Sequence, residues 1–457
     1  MIAKKKITRL FLLFLISHLF LWTVIPSISN NNLPLDTIEA LAWGSNLEWG
    51  FNKHPPLSAF AVEFFYFIFG SNDWAYYFLS QIFVIIAFIY VWKLSKEIFE
   101  NETYSLIAVL ALEGIFFYNF TTPEFNVNVS QLPFWALTAY YFWKGIDDNK
   151  IFYWVLFGIF SALGFLSKYL FIYLLFAILI YFVIYCRKDK KLLKNYFIAI
   201  IISLLILFPH FSWLNDNDFV TILYGIKRSS INEFSLINYL VNPFSFLLKQ
   251  IIILIPFFTM IFVMLKKLKF DFNFKSKKNS FIVSITLIPI ILILITSILT
   301  GAKIRTMWMT PFYLFSGIFF IQIIKKNIEI KKLKRFFVLF SFFFFLSPLI
   351  YLSVSILDET KRTDYPGKEI ARLVQNKWDE NFINEIKIVV GDEWSAGNLS
   401  YHLPSRPIWI NDLKKKSSEI KSDQGVIYTG NPKILKKICP GVFGSIRPVG
   451  YCMIGSK

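Results

Sequence analysis

The sequence has 457 residues, of which 56% are hydrophobic and 53 are Phe, with a formal net charge of +18 and a mean hydropathy of +0.53. A water-soluble globule of this composition lacks the polar groups to cover its own surface, so most of the chain must lie in lipid. The positive charge does not argue for nucleic acid, because the Lys and Arg residues fall in short clusters between apolar segments, as topogenic loops do.

Residues 1–27 begin with Lys4, Lys5 and Lys6 and run into a long apolar stretch. No small-residue cleavage site follows, so this reads as a retained first helix rather than a signal peptide. Its basic start stays in the cytoplasm and places an outer loop, 28–72, on the far side. Further apolar segments follow at about 73–92, 103–120, 126–143, 151–166, 168–186, 194–214, 244–265, 280–299, 304–324 and 335–357, giving about 11 spans. The stretch Leu57–Phe69 is short for a span and contains Glu63, so it reads as an interfacial helix. Charge supports this: without a crossing there, the clusters Lys93/Lys96, Lys144/Lys150, Arg187–Lys194, Lys266–Lys278 and Lys325–Arg335 all share one side. The region 151–186 is too long for one helix at 1.5 Å per residue and splits as a hairpin at Ser167 and Lys168.

On this topology the outer side carries the loop 28–72, the turn Thr121–Glu124, Lys168, the loop 215–243, the turn Gly301–Arg305 and the tail from Asp358. The tail is mixed polar and charged. Lys387–Val390 before Gly391-Asp392-Glu393-Trp394 reads as a strand and turn, and Tyr365-Pro366-Gly367 reads as a helix start. The expected architecture is an all-α polytopic membrane domain, 1–357, with a small α/β extracytoplasmic domain, 358–457. Cys439 and Cys452 lie in that tail and can pair in an oxidising compartment, a closure of about 3 kcal/mol on the chain-entropy model. No Cys spacing suggests a zinc site, and no glycine-rich phosphate loop is present.

The chemistry concentrates in Leu33–Leu57. Asp36 and Glu39 stand one helical turn apart and share a face. The structural alternative is a capping box, with Asp36 before an apolar helix and Glu39 three residues on. The same loop also holds Glu48, Lys53 and His54 before a Pro55-Pro56 corner, which capping does not explain. Glu124 opens a later membrane helix beside Pro123; it is either a favourable acid at a helix start or a second carboxylate facing Asp36. Lys168, Lys303 and Arg305 are cations at outer ends, where snorkelling or phosphate binding both account for them. His210 and Trp213 lie at another outer end, where an aromatic belt residue is the default for Trp213. Glu113 stands inside a span and requires a partner within the bundle. A divalent metal through Asp36, Glu39, Glu124 and His54 is compatible with the residue types, although their spacing does not specify one.

Three patterns carry a resemblance: Leu47-Glu48-Trp49-Gly50-Phe51-x-Lys53-x-Pro55-Pro56-Leu57, then Pro209-His210-x-x-Trp213-x-Asn215, then Gly391-Asp392-Glu393-Trp394-x-Ala396-Gly397-Asn398. With Asp36 and Glu39 after the first helix and a Thr-Pro-acid at 122–124, they resemble the membrane-embedded GT-C glycosyltransferases. The likeness is to bacterial families 39 and 83, which include protein mannosyltransferases and transferases acting on lipid A. The resemblance implies transfer of a sugar from a polyprenyl phosphate to an acceptor outside, lipid A or the lipopolysaccharide core, at the periplasmic face of a bacterial inner membrane. It implies Asp36, Glu39 and Glu124 as the catalytic acids, Glu124 standing where the family commonly has Asp. It implies Lys53 and Lys168 at the donor phosphate, with Lys303 and Arg305 as further candidates. His54 stands at a variable position. The expected partners are the lipid-phosphate donor, a lipid or glycan acceptor and membrane lipids, with no certain cofactor. Protein O-mannosyl transfer is the alternative within the class. A transporter or flippase for a lipid-linked sugar is the alternative outside it, although no inverted repeat is seen. On a bacterial reading the sequon-like Asn119, Asn128 and Asn398 carry no meaning.

Overall fold

The computed structural model describes residues 4–229, 237–267, 269, 276–358, 360–411 and 424–457. Parts of the expected loops 215–243 and 266–278 lie outside these residues. The membrane part runs α1 (Lys4–Ser29), α2 (Leu35–Gly44), α3 (Leu57–Phe69), α4 (Asp73–Ile98), α5 (Glu102–Leu110), α6 (Val127–Ser130), α7 (Leu132–Asp148), α8 (Ile151–Ser167), α9 (Ile172–Tyr185), α10 (Lys190–Asp216), α11 (Val220–Ser229), α12 (Asn238–Ile253), α13 (Ile255–Phe262), α14 (Lys277–Thr300), α15 (Ser316–Ile324) and α16 (Leu333–Leu357).

Of the eleven apolar segments, five form single helices long and apolar enough to cross a membrane: α1, α4, α10, α14 and α16 with its preceding turn. Two more do so as bent pairs, α12 with α13 at 50° and the turn Thr306–Tyr313 with the helix after it at 55°. The other four are shorter or interrupted. The segment 103–120 breaks after α5 into two 3-10 turns, Ala111–Gly114 and Phe116–Tyr118. There the buried Glu113 meets His18 of α1 at 2.6 Å and receives Asn119 Nδ2 at 3.3 Å. Glu113 thus has its partner inside the bundle, as an ionisable group in lipid requires.

Close approach between helices depends on small residues. A Cβ at Gly158 would come within 2.6 Å of the Ala199 carbonyl, so this glycine brings α8 against α10. Around that seam Phe142, Trp154, Phe157, Phe182 and Tyr196 pack ring on ring. Such offset and edge contacts add to area burial.

After α16 the chain forms α17 (Gly367–Asp379), β1 (Ile386–Val390), α18 (Ser395–His402), β2 (Ile408–Ile410), β3 (Gly425–Gly430), α19 (Pro432–Ile438), β4 (Val442–Ile446) and β5 (Val449–Ile454). The sheet order is β2-β1-β3-β5-β4. β1 is parallel to β2 and β3, while β5 runs antiparallel to β3 and β4. Cys439 and Cys452 form a disulfide across the last hairpin.

The tail shares a core with α2, the loop after it and the start of α3. Ala42 and Trp43 of α2, Phe51 and Ala59 are buried with Ile370, Val374, Trp378, Leu399 and Trp409. Glu63 of α3 explains itself here. Its carboxylate meets the Arg406 guanidinium at 2.5 Å, and Arg406 also donates to the Leu41 carbonyl at 2.6 Å and lies 4.2 Å from the Tyr66 ring centroid. The charge in this apolar helix turns toward the tail, while Phe64, Phe67 and Ile68 stay exposed. This is the division of faces expected of a helix lying at a membrane interface.

Candidate active site

The α2 helix starts without a side-chain cap: its N-cap is Pro34, and Asp36 is already the second helical residue. The capping box between Asp36 and Glu39 is therefore not formed. Glu124 supplies the missing acceptor, taking the Asp36 backbone N–H on Oε1 at 3.1 Å. A side-chain oxygen at a helix N-terminus satisfies one of the orphan donors there. Glu124 does not open its own helix as expected. It lies in the turn before α6, whose cap is Asn126, which accepts from Asn128 and Val129.

Asp36 and Glu39 share the inward face of α2 and line a cavity of about 620 Å3. Lys53, His54 and Pro55 form the adjoining wall. The corner is held by Phe51 N–H donating to the His54 carbonyl at 3.1 Å, with Trp43 stacked on Phe51 at 5.5 Å. Asn128, Lys168, Tyr169, Tyr173 and Trp308 face this wall, and Tyr224, Arg228 and Arg305 close the cavity. Lys168 lies between α8 and α9, bonded to Asn128 Oδ1 and 5.4 Å from the Trp308 ring centroid. Lys53 Nζ is 2.8 Å from Glu39 Oε1 and 3.1 Å from Glu393 Oε1 of the tail.

Burial sets the electrostatics. It raises Asp36 above the ordinary carboxylate range, against the pull of Lys168, Lys53 and Arg228. Burial, with the Asp36 charge beside it, pushes Glu124 up to about 8. Burial thus favours the protonated form of both acids, and the charge of either one disfavours ionisation of the other. Burial also pushes Lys168 down to about 7, with Asp36 opposing. His54 falls to about 3, through burial and then the Lys168, Lys53 and Arg228 charges, so its ring is neutral. Burial works against the Lys53 charge too, but the hydrogen bond and charge of Glu39, with Glu393, outweigh it and raise Lys53.

The remaining candidates separate. Arg305 lines the first cavity, but Lys303 does not. Lys303 belongs to a second cavity of about 1240 Å3, whose walls carry Lys227, Arg228, Lys249 and Arg305 as well. The two cavities share Tyr224, Arg228, Ile304, Arg305 and Met307. His210 and Trp213 stand outside both. His210 bonds the Trp49 carbonyl at 2.5 Å and the Tyr169 hydroxyl at 2.8 Å, and Trp213 Nε1 donates to Glu48 at 3.2 Å. They brace the outer loop, with Gly50 so close that a Cβ would meet the Trp213 ring at 2.3 Å. The metal set of Asp36, Glu124 and His54 does not assemble: among the described residues no three His, Cys, Asp or Glu side chains form a metal-binding group. Sequence reasoning missed Arg228, Asn128, Trp308 and Glu393. Only Glu393 had a signal, since it stands in a motif that already stood out.

Residues 53–213 match the family of dolichyl-phosphate-mannose-protein mannosyltransferases. No curated protein is significantly similar in sequence. Among solved structures, ArnT from Cupriavidus metallidurans bound to undecaprenyl phosphate is similar with a TM-score of 0.68 and 11% identity, over 98% of this chain and 98% of that one. The same protein in the apo state gives 0.64 and 12%, over 97% and 98%. The oligosaccharyltransferase AglB from Archaeoglobus fulgidus, in complex with an inhibitory peptide and a dolichol-phosphate, gives 0.47 and 10%, over 91% and 69%. The chain is thus a multi-pass membrane protein with the fold of the GT-C glycosyltransferases.

Proposed function

We propose that this protein transfers a sugar from a polyprenyl-phosphate donor to an acceptor on the periplasmic side of a bacterial inner membrane. The observation that carries the reading is a carboxylate, Asp36, set against Lys53, Lys168, Arg228 and Arg305 in one cavity. The match of residues 53–213 to lipid-phosphate-dependent transferases supports the same class.

The chemistry follows from the charges. Asp36 takes the proton of the acceptor hydroxyl, and the acceptor oxygen forms a bond to the anomeric carbon. The bond from that carbon to the phosphate oxygen breaks, and its electron pair leaves with the lipid phosphate. The fixed cations stabilise the charge that develops there. Glu39 holds Lys53 in place, and Glu124 fixes the start of α2 and thereby the Asp36 backbone. His54, held neutral against Trp43, shapes the wall. The catalytic acids are therefore Asp36, with Glu39 and Glu124 supporting it.

The second cavity, with five cations on its walls, suits an acceptor that carries negative charge, such as a phosphorylated lipid A or lipopolysaccharide core. A neutral hydroxyl-bearing peptide, the acceptor of a protein mannosyltransferase, has no use for them. Vesicles containing the protein and a polyprenyl-phosphate sugar, offered phosphorylated and dephosphorylated lipid A, test this reading. Sugar is expected on the phosphorylated lipid only. Transfer to a peptide hydroxyl instead would establish the protein-directed alternative, and transbilayer movement of intact donor would establish a flippase.

A further inference from the structure

The tail does more than cover the outer helices. Its turn at Gly391-Asp392-Glu393-Trp394 follows β1 and delivers a carboxylate to Lys53. The turn is tightly specified. Gly391 has φ +151°, and a Cβ there would meet Thr429 Oγ1 at 2.0 Å. Asp392 Oδ1 accepts the N–H groups of Trp394 at 2.9 Å and Ser395 at 2.7 Å, while the Trp394 ring lies 5.2 Å from that of Tyr365. Glu393 is left facing the outer loop, 3.1 Å from Lys53 Nζ and 3.4 Å from Asn52 Nδ2. Lys53 also binds Glu39 at 2.8 Å. One ammonium thus sits between two carboxylates, all three largely shielded from water, with a summed charge of −1.

We propose that Glu393 is a positioning residue that favours release of the spent lipid phosphate over loss of the intact donor. The inference rests on the reading of this cavity as a polyprenyl-phosphate site. The donor is a phosphodiester with one negative charge. The product is a phosphomonoester whose second ionisation lies near pH 6, so at neutral pH it carries almost two. A net negative cluster behind the phosphate subsite repels the product about twice as strongly as the donor. Lys53, kept charged and aimed by both acids, still orients the phosphate; Glu393 keeps that attraction from trapping the product.

The test uses the full chain in lipid nanodiscs, with undecaprenyl phosphate as the monoester and its methyl phosphodiester as the singly charged probe. In Glu393→Gln, monoester affinity should rise on the order of tenfold and diester affinity about threefold, shifting their ratio about threefold. Glu393→Asp keeps the charge and should keep the wild-type ratio, even where its melting temperature falls. A residue that only docks the tail would alter melting and leave the ratio alone. An unchanged ratio in Glu393→Gln overturns the proposal. If that variant does not fold, Glu393→Ser removes the same charge and is read in the same way. Wild-type protein that binds neither lipid overturns the polyprenyl-phosphate reading itself.

Discussion

The Asp36 backbone N–H donates to the Glu124 carboxylate at 3.1 Å, joining residues 88 positions apart. The two acids thereby belong to one unit in which Glu124 fixes the helix end and Asp36 faces the cavity. Replacing Asp36 with Asn keeps the shape and removes the base. Transfer from a polyprenyl-phosphate sugar should fall by about 10²–10⁴-fold, with donor binding retained. Turnover at the wild-type rate would remove Asp36 from the reaction.

Burial raises the Glu124 carboxyl to about 8 in the folded chain, from an ordinary value of 4.5. The folded state therefore holds a proton that the unfolded state gives up, and stability falls as pH rises between those values. Thermal melting in detergent should show this decline. Glu124→Gln should flatten it, with the largest difference near pH 8, a change of several degrees in Tm. A slope unchanged by the substitution would place the proton elsewhere.

The rate should depend on pH with two limbs. Activity rises as Asp36, itself raised above the ordinary carboxylate range by burial, loses its proton. It declines as Lys168, lowered to about 7, loses its charge. Lys168→Arg carries a charge that does not titrate in this range, so its alkaline limb should move upward by at least one pH unit while the acid limb stays. Measuring kcat/KM from pH 5 to 9 for both proteins decides this.

The two cavities give different kinetic signatures. Lys53→Gln should raise the KM for the lipid-phosphate donor about tenfold or more. Lys303→Ala, whose residue lines only the second cavity, should raise the KM for a phosphorylated acceptor and leave the donor's in place. Reversed effects would exchange the two assignments.

Arg406 and Glu63 clamp the tail to α3. Arg406→Ala leaves Glu63 and the Leu41 carbonyl without their donor and should cost about 1–3 kcal/mol. Protease cleavage after α16 should accelerate in the variant. Equal cleavage rates would show that the shared apolar core around Trp43 and Trp378 holds the tail alone.

Hydropathy made the membrane part readable, because lipid punishes polar segments over long stretches and the signal accumulates. The reading of Leu57–Phe69 as an interfacial helix rested on one acid and the distribution of Lys and Arg. Helix interruptions were not readable: 103–120 is apolar apart from a few residues such as Glu113, whose need for a partner was visible but whose contact with His18, at the point where the helix yields, was not. Within the site, Asp36, Glu39 and Lys53 lie close together in the chain, so local spacing brought them together. Glu124 was visible as an acid at an outer turn, but its role at α2 depends on two distant segments meeting. Arg228 and Asn128 reach the cavity only through tertiary packing, and nothing in their local sequence distinguishes them. His210 and Trp213 stood out by position alone, and their side chains brace the loop at Trp49 and Glu48 and line neither cavity.

The wall between the cavities has a thermodynamic consequence. Arg228 and Arg305 serve both chambers, so an anion entering one neutralises charge that the other relies on. Each guest must then weaken the other by the same factor, since linkage between two binding equilibria is reciprocal. Titrating lipid phosphate in the presence and absence of an anionic acceptor analogue should reveal this antagonism. Arg228→Gln, by removing the common counter-ion, should reduce it even as both affinities drop.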